Sequence, residues 1–306
     1  MLTKILFLIG VYTASMFNVA EALTKGHDLS FVTLMETKQG ANWIPTSGKH
    51  TSIESILGAG GMDTVRLRLW TSGDYDLDYT LALAQRPFTA GGVKLTILSL
   101  GNKIAGGFLF PMGKINGDFK AFATLWKAAR QGVTDAVSAG TSRPKVMIHL
   151  ENGWNSNKVL PFFKGLFAEG TVTQNDVDAF GFSFYPFYNT EGNTCRAQVF
   201  SNGNGQYLRH RHLRRRDQLA DEVTKVKMSA DFPVSAEGQV AWVAAIIDIL
   251  ERLPNKLGAG IFNWEPGYLS VAGLGSSCES ALLFSVNWDK WPETDATALS
   301  SVTMFA

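Results

Sequence analysis

The side chains that could do chemistry in this chain follow a series of short apolar segments. There the sequence places aromatic rings beside amide, imidazole and guanidinium groups and carboxylates. Aromatic faces suit the apolar C–H faces of a sugar ring, and planar hydrogen-bonding groups suit its rim of hydroxyls. For His149 a second interpretation stays open, that of a buried structural histidine. The combination predicts a carbohydrate-binding site formed by Asp28, Arg68, Asn102, His149, Asn152, Tyr185, Asp231, Trp264 and Glu265.

Other catalytic chemistries lack their sequence signatures. The chain contains no CxxC, HExxH or P-loop motif and no Gly-x-Ser-x-Gly nucleophile elbow. No cluster of metal-ligating residues stands out in the sequence either. We therefore predict neither a cofactor nor a metal site.

The elements that must position these side chains are of two alternating kinds. Alternating strands and helices in a chain of 306 residues predict an α/β fold, a TIM (β/α)8-type barrel, with a single domain at 23–306. The amphipathic segments end at Gly or Pro and predict helices at 51–57, 79–90, 119–138, 159–169 and 240–253. The apolar segments predict strands at 26–31, 64–69, 93–100, 145–150, 179–184, 224–228 and 258–263.

One strand–helix unit is missing from this pattern. A barrel of this type needs eight strands to close, and seven are evident. The stretch 91–102 runs from a helix end through a single strand to Gly101-Asn102, so the gap falls there. We expect the loss to leave strand edges unpaired, which favours poor secretion or aggregation.

The first residues have the three parts of a secretory signal. Lys4 precedes a short apolar run, and Ala20-Glu21-Ala22 matches an A-x-A cleavage signal. We predict a signal peptide at 1–22 and a secreted, extracellular protein. The two cysteines, at positions 195 and 278, could be joined in a secreted chain, but two free thiols fit equally well.

The segment 209–216 is strongly basic, with five arginines and two histidines. It has neither interleaved aromatic residues nor a nucleic-acid-binding motif, so we interpret 193–217 as a solvated helix face or an inserted loop. The net charge is only +1, and beyond the N-terminal signal no segment is apolar over a membrane-spanning length. We predict a monomer with no nucleic-acid and no membrane partner, whose polar segment after Trp291 lies on the outside.

Several stretches, in order along the chain, carry a family resemblance. They include "VRLRLW", "SLGNKIAGGFLFPMGKI", "KVMIHLENGW", "GFSFYPFYN" and "FNWEPGYL". With them the chain resembles the arabinogalactan endo-β-1,4-galactanases of glycoside hydrolase family 53 over most of residues 23–286. The resemblance implies a secreted (β/α)8 barrel that cuts the polysaccharide β-1,4-galactan with retention.

The resemblance also implies two catalytic glutamates, and both are replaced here. The acid/base position, after the Gly-Asn of strand four, is Lys103, and the nucleophile position matches Ser229. Lysine has a reference pKa of about 10.4 and donates a proton poorly, and serine needs a base to attack. Asp231 shares a strand face with Ser229 but is displaced by about 6.6 Å, which makes it a poor substitute. Hydrolysis is therefore predicted to be absent or very weak.

Three interpretations of the function follow. In the first, the chain is a pseudoenzyme that binds galactan or arabinogalactan without turnover. In the second, the native protein is an ordinary galactanase, and the sequence carries exon-boundary errors near 85–110 and 190–235. In the third and least favoured, the basic segment 209–216 binds a polyanion.

Overall fold

The computed structural model of the chain describes residues 22–69, 78–79, 95–151, 153, 155–184, 204–208, 232–233, 235–253, 256–264, 266–267, 282–286 and 294–306. A seven-stranded sheet is the central element of this part of the chain. A three-stranded sheet and a two-stranded hairpin accompany it. No helix within the described residues is long and apolar enough to span a membrane.

All neighbouring strands of the central sheet are parallel. Their order across the sheet is β3 Thr64–Arg66, β1 Thr24–Asp28, β10 Gly258–Trp264, β9 Asn204–Leu208, β8 Ala179–Ser183, β7 Lys145–Leu150 and β4 Ile97–Ser99. The last residues of these strands and the loops that follow them therefore share one end of the sheet, which we call the mouth. Six of these seven strands confirm predicted segments; β7 has the predicted bounds, and the other five differ only at their ends.

The described residues contain five α-helices. Four confirm predicted helices, and the predicted helix at 79–90 lies outside the described residues apart from Tyr79. The first helix was not predicted, because its apolar side chains are spread around its circumference instead of forming one stripe. The helices are α1 Val32–Gln39, α2 Ile53–Ala59, α3 Lys120–Ser138, α4 Ser156–Glu169 and α5 Ala236–Glu251, with 3-10 turns at Gln174–Asp176 and Ser300–Thr303.

Successive residues of β7 face opposite sides of the sheet. Val146 and Ile148 are fully buried in a cluster that includes residues of α3 and α4. Met147 instead belongs to a cluster that joins side chains of the two neighbouring strands to Phe262 of β10, which is not a neighbour of β7. Contacts between non-neighbouring strands require a curved sheet, as in the interior of a barrel. The interior cluster consists of Met147, Ala179, Phe262 and Ile97.

The sheet is open between β3 and β4, its two terminal strands. Among the described residues no backbone ladder joins them, and we call this junction the seam. A side-chain hydrogen bond crosses it, because a terminal guanidinium nitrogen of Arg66 donates to Asn102 Oδ1 at 3.2 Å. The seam lies between the strands that flank the predicted missing unit. The fold is thus of TIM-barrel type, with seven described strands in its central sheet.

The segment 193–217 was predicted to be a solvated face or an inserted loop, and for Asn204–Leu208 this is wrong. These residues form β9, which pairs with β8 on one side and β10 on the other. Asn and Gly disfavour strands in isolation, but pairing on both sides satisfies their backbone groups. The sequence had predicted 224–228 for this strand position. That segment and the basic segment 209–216 lie outside the described residues.

The polar C-terminal segment was predicted to lie on the outside, and this is also wrong. It forms β12, Thr294–Ala298, between β11, Phe284–Val286, and β2, Ala41–Ile44. Alternate residues of β12 are buried, and the final turn buries Phe305 against the ring of His27 at a centroid distance of 4.8 Å. Small side chains at alternate positions let a polar sequence occupy a buried strand.

Substitutions of two glycines can test how closely the C-terminal segment packs. Gly61 (φ 93°) and Gly48 (φ 89°) both have left-handed backbone conformations. A Cβ at Gly61 would lie 2.3 Å from the carbonyl oxygen of Phe305, whereas nothing lies within 4 Å at Gly48. We expect Gly48→Ala to lower the free energy of unfolding by about 1 kcal/mol, and Gly61→Ala by about 3 kcal/mol. Urea unfolding measures both, and equal losses would contradict the close packing.

Candidate functional site

The site begins at Asp28, the last residue of β1, whose side chain is fully buried. Its carboxylate forms an ion pair with Arg66 of β3 and a second with Nε of Arg68 at 3.1 Å. The hydroxyl of Ser30 donates to the same carboxylate. A buried carboxylate is stable only when its charge is compensated, and here two guanidinium groups do so.

Arg68 is held in place from several directions. Its backbone N–H and its Nε donate to the Ser30 hydroxyl at 2.9 and 3.3 Å. Its guanidinium carbon lies 4.8 Å from the ring centroid of Phe31 and 5.4 Å from that of Trp264. Both distances are within the range of cation–π contacts. An arginine fixed against a tryptophan at the mouth offers directed donors beside an apolar ring face.

The network crosses the seam through Asn102. Its Oδ1 accepts from Arg66 at 3.2 Å and lies 3.0 Å from Nδ1 of His149. The other ring nitrogen of His149, Nε2, lies 3.1 Å from the hydroxyl of Ser183 at the end of β8.

His149 is 1% exposed, so the interpretation as a buried, hydrogen-bonded histidine is confirmed. Burial lowers the pKa of His149 well below its usual value, and the positive charges of Arg66 and Lys103 lower it further. The ring is therefore neutral at physiological pH. A neutral ring keeps one unprotonated nitrogen, as the hydrogen bond from the backbone N–H of Lys103 to Nδ1 requires.

Lys103 stands directly beside this network. Its backbone adopts a left-handed conformation (φ 59°), and its N–H donates to Nδ1 of His149 at 3.3 Å. The side chain is half-buried, and its charge acts on His149. The nearby Glu151 accepts a long hydrogen bond from the N–H of Ala105 at 3.4 Å. The loop after β4 thus presents a cation at the mouth.

The structure brings five of the predicted site residues into one connected network: Asp28, Arg68, Asn102, His149 and Trp264. Three further members, Arg66, Ser30 and Ser183, also lie at predicted strand ends but were not among the residues predicted for the site. The two-residue spacing of Asp28 with Ser30, and of Arg66 with Arg68, was the available signal, because it places each pair on one strand face. The other predicted residues lie outside the described residues: Asn152, Tyr185, Asp231, Glu265 and Ser229.

What the network can do chemically follows from its groups. It offers guanidinium donors, an amide and an indole ring, which suit binding and orientation of a polar ring. Among the described members of the network, Asp28 is the one carboxylate, and two arginines already compensate its charge. Across the described residues no group of three His, Cys, Asp or Glu side chains could hold a metal ion. The geometry therefore favours recognition of a polyhydroxylated ligand.

The profile of glycosyl hydrolase family 53 matches residues 74–305. Arabinogalactan endo-beta-1,4-galactanase A of Aspergillus niger is 28% identical over 344 residues, covering 93% of this chain and 95% of the relative. The arabinogalactan endo-beta-1,4-galactanase of Thermothelomyces thermophilus is also 28% identical, covering 93% of this chain and 99% of its own.

Two solved structures resemble the fold. A fungal beta-1,4-galactanase has a TM-score of 0.73 at 26% identity, covering 92% of this chain and 98% of its own. The family 53 catalytic domain of Ignisphaera aggregans has a TM-score of 0.72 at 19% identity, covering 94% of this chain and 97% of its own. The second likeness concerns the fold alone.

Proposed function

The chain belongs to glycosyl hydrolase family 53, and from that premise we propose a secreted protein that binds β-1,4-galactan but hydrolyses it very weakly or not at all. Residues 1–22 would be its signal peptide and 23–306 its single domain. The polysaccharide would lie in the mouth against Arg68, Asn102 and Trp264. We propose that the protein acts as a monomer.

The observation that carries this proposal is the cation at position 103. Lys103 follows Asn102, where the family resemblance places the acid/base glutamate, and its charge acts on His149. A retaining glycosidase needs two carboxyl groups about 5–5.5 Å apart, one of which is protonated. A lysine cannot take that role at its usual pKa, and its charge would repel the positive charge that develops on the sugar.

The nucleophile position supports the same conclusion. Ser229 matches it by resemblance, and a serine attacks only with help from a base. Asp28 cannot substitute, because it is fully buried and already compensated by Arg66 and Arg68. Restoring activity would require new carboxylates at both positions, 103 and 229.

The test is to incubate the purified protein with β-1,4-galactan and to measure heat and products in parallel. We expect calorimetric binding, and turnover at least about 100- to 10,000-fold below that of an active galactanase, since an acid/base group contributes about that much. The Aspergillus niger galactanase serves as the positive control. A clear ladder of galactose oligomers would overturn the loss of hydrolysis, and an absence of heat would overturn binding.

A second candidate function is that of an ordinary galactanase whose sequence carries exon-boundary errors. The seam between β3 and β4 favours it, because a skipped strand–helix unit would leave such an opening. Sequencing the transcript across codons 85–110 and 190–235 tests it. A transcript that encodes an additional unit and a glutamate after Asn102 would replace the proposal above, and an unchanged transcript would leave the binding protein as the conclusion.

A further inference from the structure

The hairpin that follows the Lys103 loop exposes a group of apolar side chains. Its strands are β5, Gly107–Phe108, and β6, Gly113–Lys114. Between them, Leu109 is 52% exposed, Phe110 62% and Met112 73%. We call residues 109–112 the hairpin tip. Single exposed apolar residues are ordinary on protein surfaces, but a contiguous group is typical of a binding surface.

The base of the hairpin is attached to the mouth by backbone hydrogen bonds. The N–H of Ile104 donates to the carbonyl of His149 at 3.0 Å, and the N–H of Gly107 donates to Ile104 at 2.9 Å. The N–H of Ile115 closes the hairpin onto Gly106 at 3.1 Å. The hairpin is part of the loop that follows β4, and its base is hydrogen-bonded to the strand that carries His149, so it lies at the mouth end of the sheet.

Packing fixes the hairpin from the side of α3. Phe108 meets Phe122 edge-to-face at a centroid distance of 5.4 Å. A Cβ at Gly113 would lie 2.2 Å from the carbonyl oxygen of Phe108 and 2.9 Å from a methyl group of Leu125, so the two strands approach as closely as glycine permits. A tip held in this way loses little conformational entropy when it binds a ligand.

We infer that the hairpin tip is an apolar platform for a stretch of polysaccharide that extends beyond the mouth. The inference rests on the proposed galactan-binding function. The ring of Phe110 and the flexible side chain of Met112 offer apolar surface to the C–H faces of sugar rings. Residues 109–112 include no charged side chain, so the platform suits a neutral polymer.

The small area of the hairpin tip favours a polysaccharide ligand over a second copy of the protein. A stable protein interface buries about 800 Å² on each partner, and three apolar side chains supply only a fraction of that area. A polysaccharide already held in the mouth needs much less, because its next sugar units reach the tip at a high effective concentration. The contribution of the tip should therefore depend on ligand length.

The test compares Phe110→Ala with the wild-type protein, using long β-1,4-galactan and the short oligomer galactobiose in calorimetry. We expect about 5- to 10-fold weaker binding of the long polymer and unchanged binding of galactobiose. Phe110→Trp keeps the ring and should retain affinity, with a shift in tryptophan emission when galactan is added. Leu95→Ala is the matched control, because Leu95 is 45% exposed and precedes β4 at the opposite end of the strand.

The outcomes separate the platform from the proposed function. If wild-type protein and Phe110→Ala bind long galactan equally well, the platform is overturned while galactan binding stands. If the wild-type protein binds no galactan, both fail. If Phe110→Ala leaves galactan binding unchanged but abolishes a concentration-dependent dimer seen by sedimentation, the tip is a contact between protein copies and the platform is overturned.

Discussion

Asp28→Asn is expected to lower the free energy of unfolding by about 3–5 kcal/mol, a large fraction of the stability of a typical domain. The reason is that two guanidinium groups, 12% and 13% exposed, would lose a counter-ion that is completely buried. Asparagine keeps the shape of aspartate but not its charge. Urea unfolding at pH 7 measures the difference.

A surface ion pair supplies the control for this substitution. Oδ1 of Asp248, in α5, lies 2.6 Å from a guanidinium nitrogen of Arg252, which directly follows the helix. Their side chains are 48% and 76% exposed. Asp248→Asn should cost at most about 1 kcal/mol, because water screens the pair. A loss at Asp28 no larger than that at Asp248 would show that Asp28 does not organise the network.

The same substitution should affect ligand binding, because Asp28 positions Arg66 and Arg68. Arg66 donates to Asn102, which in turn contacts His149, and Arg68 packs against Trp264. We therefore expect Asp28→Asn to weaken galactan binding, together with a change in the near-ultraviolet circular dichroism of the tryptophans. Asp248→Asn should change neither signal.

Acidification is expected to destabilise the protein through His27. This ring is fully buried beneath Phe305, and neither of its nitrogens has a hydrogen-bond partner among the described residues. Burial lowers the pKa of His27 from 6.5 to about 3. The unfolded chain binds a proton first as the pH falls, so stability is full above pH 6.5 and is lost progressively down to about pH 3.

The expected loss through His27 is about 2 kcal/mol between about pH 6.5 and about pH 4.5. Urea unfolding at a series of pH values measures this loss. His27→Leu should remove the part of the slope of unfolding free energy against pH that is due to His27. A smaller slope should remain in that variant, because the pKa of buried His149 is also lowered. His50→Gln is the control, since His50 is exposed to water. Identical slopes in wild-type protein and His27→Leu would contradict the prediction.

The sequence predicted the parallel sheet because its strands are continuous apolar runs that end in polar residues. Lys145–Leu150 was predicted to the residue, since β7 is long and one of its faces is buried against helices. The helices with one apolar stripe, such as Lys120–Ser138, were equally evident. Elements with little pattern of their own, such as Val32–Gln39 and Asn204–Leu208, were not predicted, because neighbouring elements stabilise them.

The sequence predicted which residue types form the site, but not which of their side chains contact one another. The residues at strand ends predicted a sugar-binding chemistry, and the family resemblance predicted that Lys103 and Ser229 replace a pair of glutamates. Arg66 compensates the charge of Asp28 and donates to Asn102 across the seam. Both contacts depend on which strands lie at the edges of the sheet. Side-chain type is encoded residue by residue, whereas partner choice depends on strand order and register, which arise only when distant segments pair.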